Sequence, residues 1–121
     1  MTVVAVGQMV QTALSVADGL AGEISVEVFD PRTVYPFDWT ALAASVAKTG
    51  RLVAVDDSNR SCGIGAEVLA TAAEKMRLVA PPKRVSRPDG AVLPFAVALD
   101  RALQPSREQL LTAVREVARA G

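Results

Sequence analysis

The sequence predicts an α/β fold of three layers, in which a parallel sheet of about four strands lies between two layers of helices. Short strand-like runs alternate along the chain with segments of helical periodicity. Strands separated by helices of this length give right-handed crossovers and a parallel sheet covered on both faces. Half of the 121 residues are hydrophobic but only 4% are aromatic, so the core must consist mostly of Val, Ala and Leu. We expect one domain over residues 1–121, long enough for a single core with two helical layers.

The first strand and the first helix are predicted near residues 2–7 and 9–21. In the helix, apolar side chains recur at helical spacing at positions 10, 13, 14 and 17. Gly19 and Gly22 are expected to end it, because glycine is the usual residue just past a helix.

The second strand is predicted near residues 24–29, which begin with alternating apolar and polar side chains. Asp30-Pro31 ends this strand, because proline has no N–H for the ladder and fixes its own φ. The second helix is expected near residues 38–48, with Asp38 as its N-cap.

Two further strands are predicted near residues 51–56 and 83–87. Helices are expected near residues 64–77 and 106–119, and a short one near 94–103; Ser106 is the expected N-cap of the last. Since both faces of a parallel sheet are covered, the strand valines should be buried. These valines are Val4, Val6, Val26, Val28, Val53 and Val55.

Composition excludes several classes of function. Thirteen basic and thirteen acidic residues cancel, so neither nucleic acid nor an anionic membrane is expected as the main partner. One cysteine cannot form an internal disulfide, and with no visible signal peptide the expected location is the cytoplasm. No apolar run approaches the roughly 20 residues of a membrane-spanning helix. The chain has no histidine, which excludes Ser-His-Asp and Cys-His catalysis and zinc sites of the His-Glu-x-x-His type.

A glycine-rich loop is the best local candidate for a binding site. It follows a predicted buried strand and opens a helix, so free backbone N–H groups could hold a phosphate or carboxylate. The candidate anion-binding residues are Arg60, Ser61, Gly63 and Gly65. The alternative, which we favour, is that the glycines allow close packing of helix and strand at a subunit interface. Cys62 could have a lowered thiol pKa there, although a small, partly buried side chain is the favoured interpretation.

Asp56 and Asp57 end the third predicted strand, where open α/β sheets place their ligands. Paired carboxylates could serve a metal or act as a general base, but no third oxygen ligand can be named from the spacing. The favoured alternative is that one carboxylate caps the glycine-rich loop and the other faces solvent. Basic residues from Lys75 to Arg87 are interpreted as a solvated surface.

Five blocks of the sequence point to one family. Residues 24–38 combine a strand, an Asp-Pro-Arg-Thr loop and a Pro-x-Asp helix start. Further blocks occur at residues 2–10, 48–57, 63–68 and 83–89, the third of these reading Gly-Ile-Gly-Ala-Glu-Val. Together they resemble the C-terminal domain of the transketolase family, with the closest likeness to the beta subunits of thiamine-diphosphate-dependent 2-oxo acid dehydrogenases (pyruvate or branched-chain type).

The resemblance implies the strand order 2-1-3-4 and an antiparallel edge strand, which we expect to be missing here. In that family two larger domains, which this sequence does not contain, hold thiamine diphosphate and magnesium. The C-terminal domain supplies dimer contacts and a docking surface for the acyltransferase core of the complex. We therefore assign no catalytic, cofactor-binding or metal-ligating residue to this chain, and expect it to be inactive alone.

Two functions remain open at this point. The chain is the C-terminal domain of such a beta subunit, whether truncated, split off or separately encoded, or it is a stand-alone binding module with the same fold. In either case an exposed sheet edge and nearby aromatic residues predict association with a second copy or with the other subunits. The expected contacts are Tyr35, Trp39 and the helix start from Gly63 to Glu67. The competing outcome is a monomer in which Trp39 packs inward.

Overall fold

A computed structural model describes residues 1–120 as four strands and five helices. The strands are β1 (Thr2–Ala5), β2 (Glu27–Phe29), β3 (Leu52–Asn59) and β4 (Lys83–Arg87). The helices are α1 (Met9–Gly19), α2 (Trp39–Ala47), α3 (Ile64–Lys75), α4 (Val97–Leu103) and α5 (Arg107–Arg119). Every predicted element is present, and the differences concern where each one begins or ends.

The four strands form one parallel sheet in the order β2-β1-β3-β4, which confirms the predicted fold class and strand order. At the centre of the sheet, Val3 of β1 lies opposite Val28 of β2 on one side and opposite Val53 of β3 on the other. β3 continues past its bulge, because Asn59 pairs with Arg87 at the end of β4. The sequence prediction ended this strand too early, at residue 56.

Two helices cover each face of the sheet. α1 and α5 pack on the face that carries Val3, Val53 and Val55, whereas α2 and α3 pack on the face of Val4 and Leu52. The alternation of side chains along β1 and β3 thus divides their apolar residues between two cores, as expected for a parallel sheet buried on both faces.

The prediction that all six strand valines are buried was wrong for three of them. Val4, Val53 and Val55 are at most 1% exposed, but Val6, Val26 and Val28 are only half-buried. Val6 lies just beyond the last residue of β1. β2 is a three-residue edge strand that begins at Glu27, because the backbone N–H of Ile24 still bonds to the turn after α1.

Both predicted N-caps are confirmed. The Asp38 carboxylate accepts a hydrogen bond from the Ala41 N–H at 2.9 Å. Ser106 forms a capping box, in which its hydroxyl accepts from the Gln109 N–H while the Gln109 side chain accepts from the Ser106 N–H. Of the helices formed by residues 1–120, none is long and apolar enough to cross a lipid bilayer.

Candidate functional site

The buried carboxylate of Asp56 organises the glycine-rich loop. Its Oδ2 accepts from the Gly65 N–H at 2.9 Å, and its Oδ1 accepts from the Ser58 N–H at 2.8 Å and from the Ser58 hydroxyl. Asp57 is exposed and accepts a 3.2 Å hydrogen bond from the Gln8 side chain. The favoured prediction, that one carboxylate caps the loop and the other faces solvent, is confirmed.

The two glycines of the loop are required by close packing. A Cβ at Gly63 would collide with the Asn59 carbonyl and the Ser58 hydroxyl, and a Cβ at Gly65 would lie 2.6 Å from Asp56 Oδ2. At both positions the backbone lies directly against a neighbouring polar group, so only a residue without a side chain fits. This contact agrees with the packing interpretation of the loop.

Several of the donors that an anion would use are already engaged within the chain. The Ser61 N–H and the Ser61 hydroxyl both donate to the Asp89 carboxylate, each at 2.7 Å. The Arg60 N–H donates to the Arg87 carbonyl, and the exposed Arg60 guanidinium lies 3.5 Å from the Arg84 carbonyl. Anion binding at this loop stays a prediction, and these bonds favour its structural alternative.

Cys62 departs from its prediction. Its side chain is exposed rather than partly buried, and its backbone adopts a left-handed conformation with φ of 58°. In the part of the chain that the structure describes, no group of three or more metal-ligating side chains comes together.

The pKa of the Asp89 carboxyl is held below its ordinary value by the hydrogen bonds from the Ser61 hydroxyl and backbone N–H. Ser61→Ala should therefore raise this pKa, measured by NMR titration of the carboxyl carbon, while Ser61→Thr should leave it low. Because the pKa is lowered in the folded state, this carboxylate contributes stability above the ordinary aspartate pKa. That contribution should disappear as the pH falls through the lowered value. An unchanged titration in Ser61→Ala would contradict the assignment.

Arg87 is the polar residue whose burial was predicted wrongly from the sequence. It is 7% exposed rather than part of a solvated basic surface. Its Nε donates to the Asp57 carbonyl at 2.9 Å and its Nη2 to Asp100 Oδ1 of α4 at 3.0 Å. Nη1 finds no hydrogen-bond partner among residues 1–120. The alternation along β4, which places Arg87 on the same side as buried Val85, was the available signal.

An open groove of about 990 Å³ runs along the outer edge of β4. Its walls come from α3 and α5, including Leu69 and Thr112, and the basic side chains of Lys83 and Arg84 lie along the strand itself. Lys83 forms an ion pair with Glu116 of α5 across this groove. Charged side chains on an edge strand discourage pairing with other strands, which is the simplest role for this arrangement.

Of the predicted contact residues, Trp39 and the start of α3 lie on the α2–α3 side of the sheet. Tyr35 is 93% exposed, and Glu67 is exposed on the first turn of α3. Trp39 is half-buried and stacks on Phe37 with ring centroids 4.0 Å apart. Phe37 itself is buried, so it adds no free surface.

The known proteins to which this chain is similar in sequence include several enzyme beta subunits. The chain is 45% identical to the pyruvate dehydrogenase E1 component subunit beta of Staphylococcus epidermidis over 100 residues, which are 80% of this chain and 30% of that protein. It is 38% identical to the same subunit of Bacillus subtilis over 120 residues, covering 97% and 36% of the two chains. It is 36% identical to the acetoin:2,6-dichlorophenolindophenol oxidoreductase subunit beta of Bacillus subtilis over 119 residues, covering 96% and 34%.

A solved structure agrees in fold. The chain superposes on a split-gene transketolase, described as an inactive beta4 tetramer, with a TM-score of 0.81 and 26% identity. The match covers 96% of this chain and 38% of that one, so the chain spans about a third of the length of its relatives. The family model of the transketolase C-terminal domain matches residues 1–110. The chain therefore belongs to the transketolase C-terminal domain family.

Proposed function

We propose that this chain acts as the C-terminal domain of the beta subunit of a thiamine-diphosphate-dependent 2-oxo acid dehydrogenase of the pyruvate or branched-chain type. In this role it serves subunit assembly and docking to the acyltransferase core in the cytoplasm, and it is not catalytic alone. The observation that supports the proposal most is coverage. Nearly the whole chain aligns with beta subunits, but with only about a third of their length.

The geometry of the glycine-rich loop supports an assembly role over ligand chemistry. Asp56 and Asp89 already accept the hydrogen bonds of the Gly65 and Ser61 N–H groups. A ligand that used these two N–H groups would have to displace the carboxylates, whereas a protein partner can pack on the loop without disturbing them. The alternative function, a stand-alone module of the same fold, would hold an anion at the exposed Arg60 guanidinium without the help of these two N–H groups.

The resemblance assigns thiamine diphosphate and its magnesium to two larger domains of the family rather than to the C-terminal domain that this chain matches. We therefore predict that the isolated chain binds neither tightly, and that both belong to the larger domains of the assembled enzyme. Isothermal calorimetry with thiamine diphosphate and magnesium should give no measurable heat of binding in the micromolar range. A saturable heat at a stoichiometry of one per chain would contradict this prediction.

The contact surface that we propose for the other subunits combines Tyr35, Trp39 and the segment Gly63–Glu67. Trp39 and Ile64 pack against the same buried cluster, which brings the loop before α2 and the start of α3 to one side of the sheet. Tyr35, in the loop before α2, has almost its entire side chain in solvent. Exposed aromatic residues of this kind are enriched in the centres of interfaces.

Association with candidate partner subunits tests the proposed function. Light scattering after size-exclusion chromatography should show a complex when the chain is mixed with the alpha subunit and the pyrimidine-binding part of the beta subunit. Tyr35→Ser should weaken that complex by roughly tenfold or more, as loss of a buried aromatic contact does. Glu108→Gln, a change of an exposed residue at the start of α5, is the matched control. Failure to form any complex would contradict the proposal.

A further inference from the structure

The dipeptide Asp-Gly occurs at two places in this chain, Asp18–Gly19 and Asp89–Gly90. An aspartate followed by glycine is especially prone to internal rearrangement, because glycine has no side chain to obstruct attack by its backbone nitrogen on the preceding carboxyl group. The two pairs have the same chemistry but lie in different structures. Any difference in their reactivity therefore reports the effect of the fold.

The rearrangement proceeds through a cyclic imide. The backbone nitrogen of the glycine forms a bond to Cγ of the aspartate, and water leaves with one carboxyl oxygen and the protons of the acid and of the amide. Water then opens this succinimide ring at either of its two carbonyl groups. One opening restores aspartate, and the other gives isoaspartate, in which the main chain runs through Cβ and Cγ. No atom is gained or lost overall, and water is the only other reactant.

The Asp18–Gly19 pair is held in a helix. Both residues belong to α1, whose last residue is Gly19. Helical N–H groups bond to the carbonyl four residues earlier, so the nitrogen that would attack is part of this ladder. The Arg107 side chain also lies against this position, because a Cβ at Gly19 would be 2.5 Å from Arg107 Nη2. Ring closure at this pair would require the end of α1 to unwind.

The Asp89–Gly90 pair lies in an exposed turn after β4. Gly90 has φ of 74°, and a Cβ added there would meet no atom within 4 Å beyond its chain neighbours. Among residues 1–120, its N–H donates no backbone hydrogen bond. The backbone of this turn is thus uncrowded, and its nitrogen is free to attack.

The Asp89 side chain, in contrast, is held in place by Ser61. The Ser61 N–H donates to Oδ1 and the Ser61 hydroxyl to Oδ2, each at 2.7 Å, so the carboxylate cannot turn without breaking one of these bonds. The same bonds lower the pKa of Asp89, and the guanidinium groups of Arg84 and Arg60 act in the same direction. An ionised carboxylate reacts poorly, because the reaction needs a protonated oxygen to leave as water. The contact with Ser61 therefore opposes ring closure in two ways.

We propose that Asp89–Gly90 is the site at which this chain forms isoaspartate, and that Ser61 restrains the reaction there. The inference concerns the chain by itself and does not depend on the proposed function. In isoaspartate Cγ belongs to the main chain, so the carboxylate that accepts from Ser61 leaves its present position. Both bonds would then be lost, and the glycine-rich loop would be released from the turn after β4.

Incubation of the whole chain at neutral pH and physiological temperature, followed by peptide mapping with mass spectrometry, tests this inference. In the wild type, isoaspartate should accumulate at position 89 and stay at background at position 18. Ser61→Ala should raise the rate at position 89 by roughly threefold or more, because the protonated fraction at neutral pH rises about tenfold for each unit of increase in pKa. Ser61→Thr, which keeps the hydroxyl and the N–H, should react like the wild type.

The urea-unfolded chain is the control for sequence, since both pairs should react there at similar rates and Ser61→Ala should have no effect. Circular dichroism of Ser61→Ala shows whether that variant is folded. Equal accumulation at positions 18 and 89 in the folded wild type would overturn the assignment of the site. A rate at position 89 that folded Ser61→Ala leaves unchanged or lowers would overturn the role of Ser61. Absence of isoaspartate at position 89 from both folded chains, with its formation in the unfolded chain, would overturn both parts.

Discussion

Val53→Asp is expected to unfold the domain. Val53 is fully buried in β3, the strand that pairs with β1 on one side and β4 on the other. Its side chain lies in the core formed with α1 and α5. An unpaired carboxylate there has no partner and no water, and this costs several kcal/mol, comparable with the whole stability of a small domain.

Circular dichroism and thermal unfolding measure this effect. The variant should lack the cooperative transition of the wild type. Val34→Asp is the matched control, because Val34 is 51% exposed and its replacement should leave the transition within a few degrees. A cooperative transition of Val53→Asp near that of the wild type would show that β3 is not central to the core.

The order of the strands came from the family resemblance, and the existence of each element came from the pattern of apolar residues. Periodicity alone separates helices from strands, but it does not say which strand lies at an edge. For this reason Val26 and Val28 were predicted as buried, although β2 has a neighbour on only one side. The length of β3 was also predicted wrongly, because its last residues pair with β4 beyond a bulge that has no signature in the sequence.

The candidate site was predictable where a local rule applied. One carboxylate of the pair Asp56 and Asp57 was expected to cap the loop, because the pair lies between a buried strand and a helix N-terminus, where orphan N–H groups need an acceptor. The sequence left open which of the two does so, and the structure shows that it is Asp56. The bond between Ser61 and Asp89 joins residues 28 positions apart, so no local rule could give it. The burial of Arg87 was missed for a related reason, because its acceptors on β3 and α4 lie close to it only after the chain has folded.

The exposure of the apolar side chains at Val92, Leu93, Phe95, Val97 and Leu99 was not predicted from the sequence either. An apolar run followed by a short helix ordinarily indicates a segment packed on the core, and only the fold shows that α4 lies outside both cores. Residues that break the expectation of burial are informative, because large apolar patches on soluble domains usually mark interaction sites.

Asp56→Ala is the second change for which we expect a large effect. Asp56 is 2% exposed, and its two carboxylate oxygens accept the backbone N–H groups of Ser58 and Gly65. Alanine removes both acceptors and leaves these donors without partners in a part of the fold that water reaches poorly. Each unsatisfied buried group costs about 1–3 kcal/mol, so a loss of roughly 2–5 kcal/mol in the free energy of unfolding is expected.

Asp57→Ala is the control that separates the effect of burial from the effect of charge, because it removes an exposed carboxylate at the next position of β3. Its hydrogen bond to Gln8 is exposed, and surface changes of this kind usually alter stability by less than about 0.5 kcal/mol. Urea unfolding of both variants, with the exchange rate of the Gly65 amide, measures the difference. Asp56→Asn should fall between them, since its remaining oxygen can still accept from one of the two N–H groups. Equal destabilisation by Asp56→Ala and Asp57→Ala would mean that the loop is held by its glycine contacts rather than by the buried carboxylate.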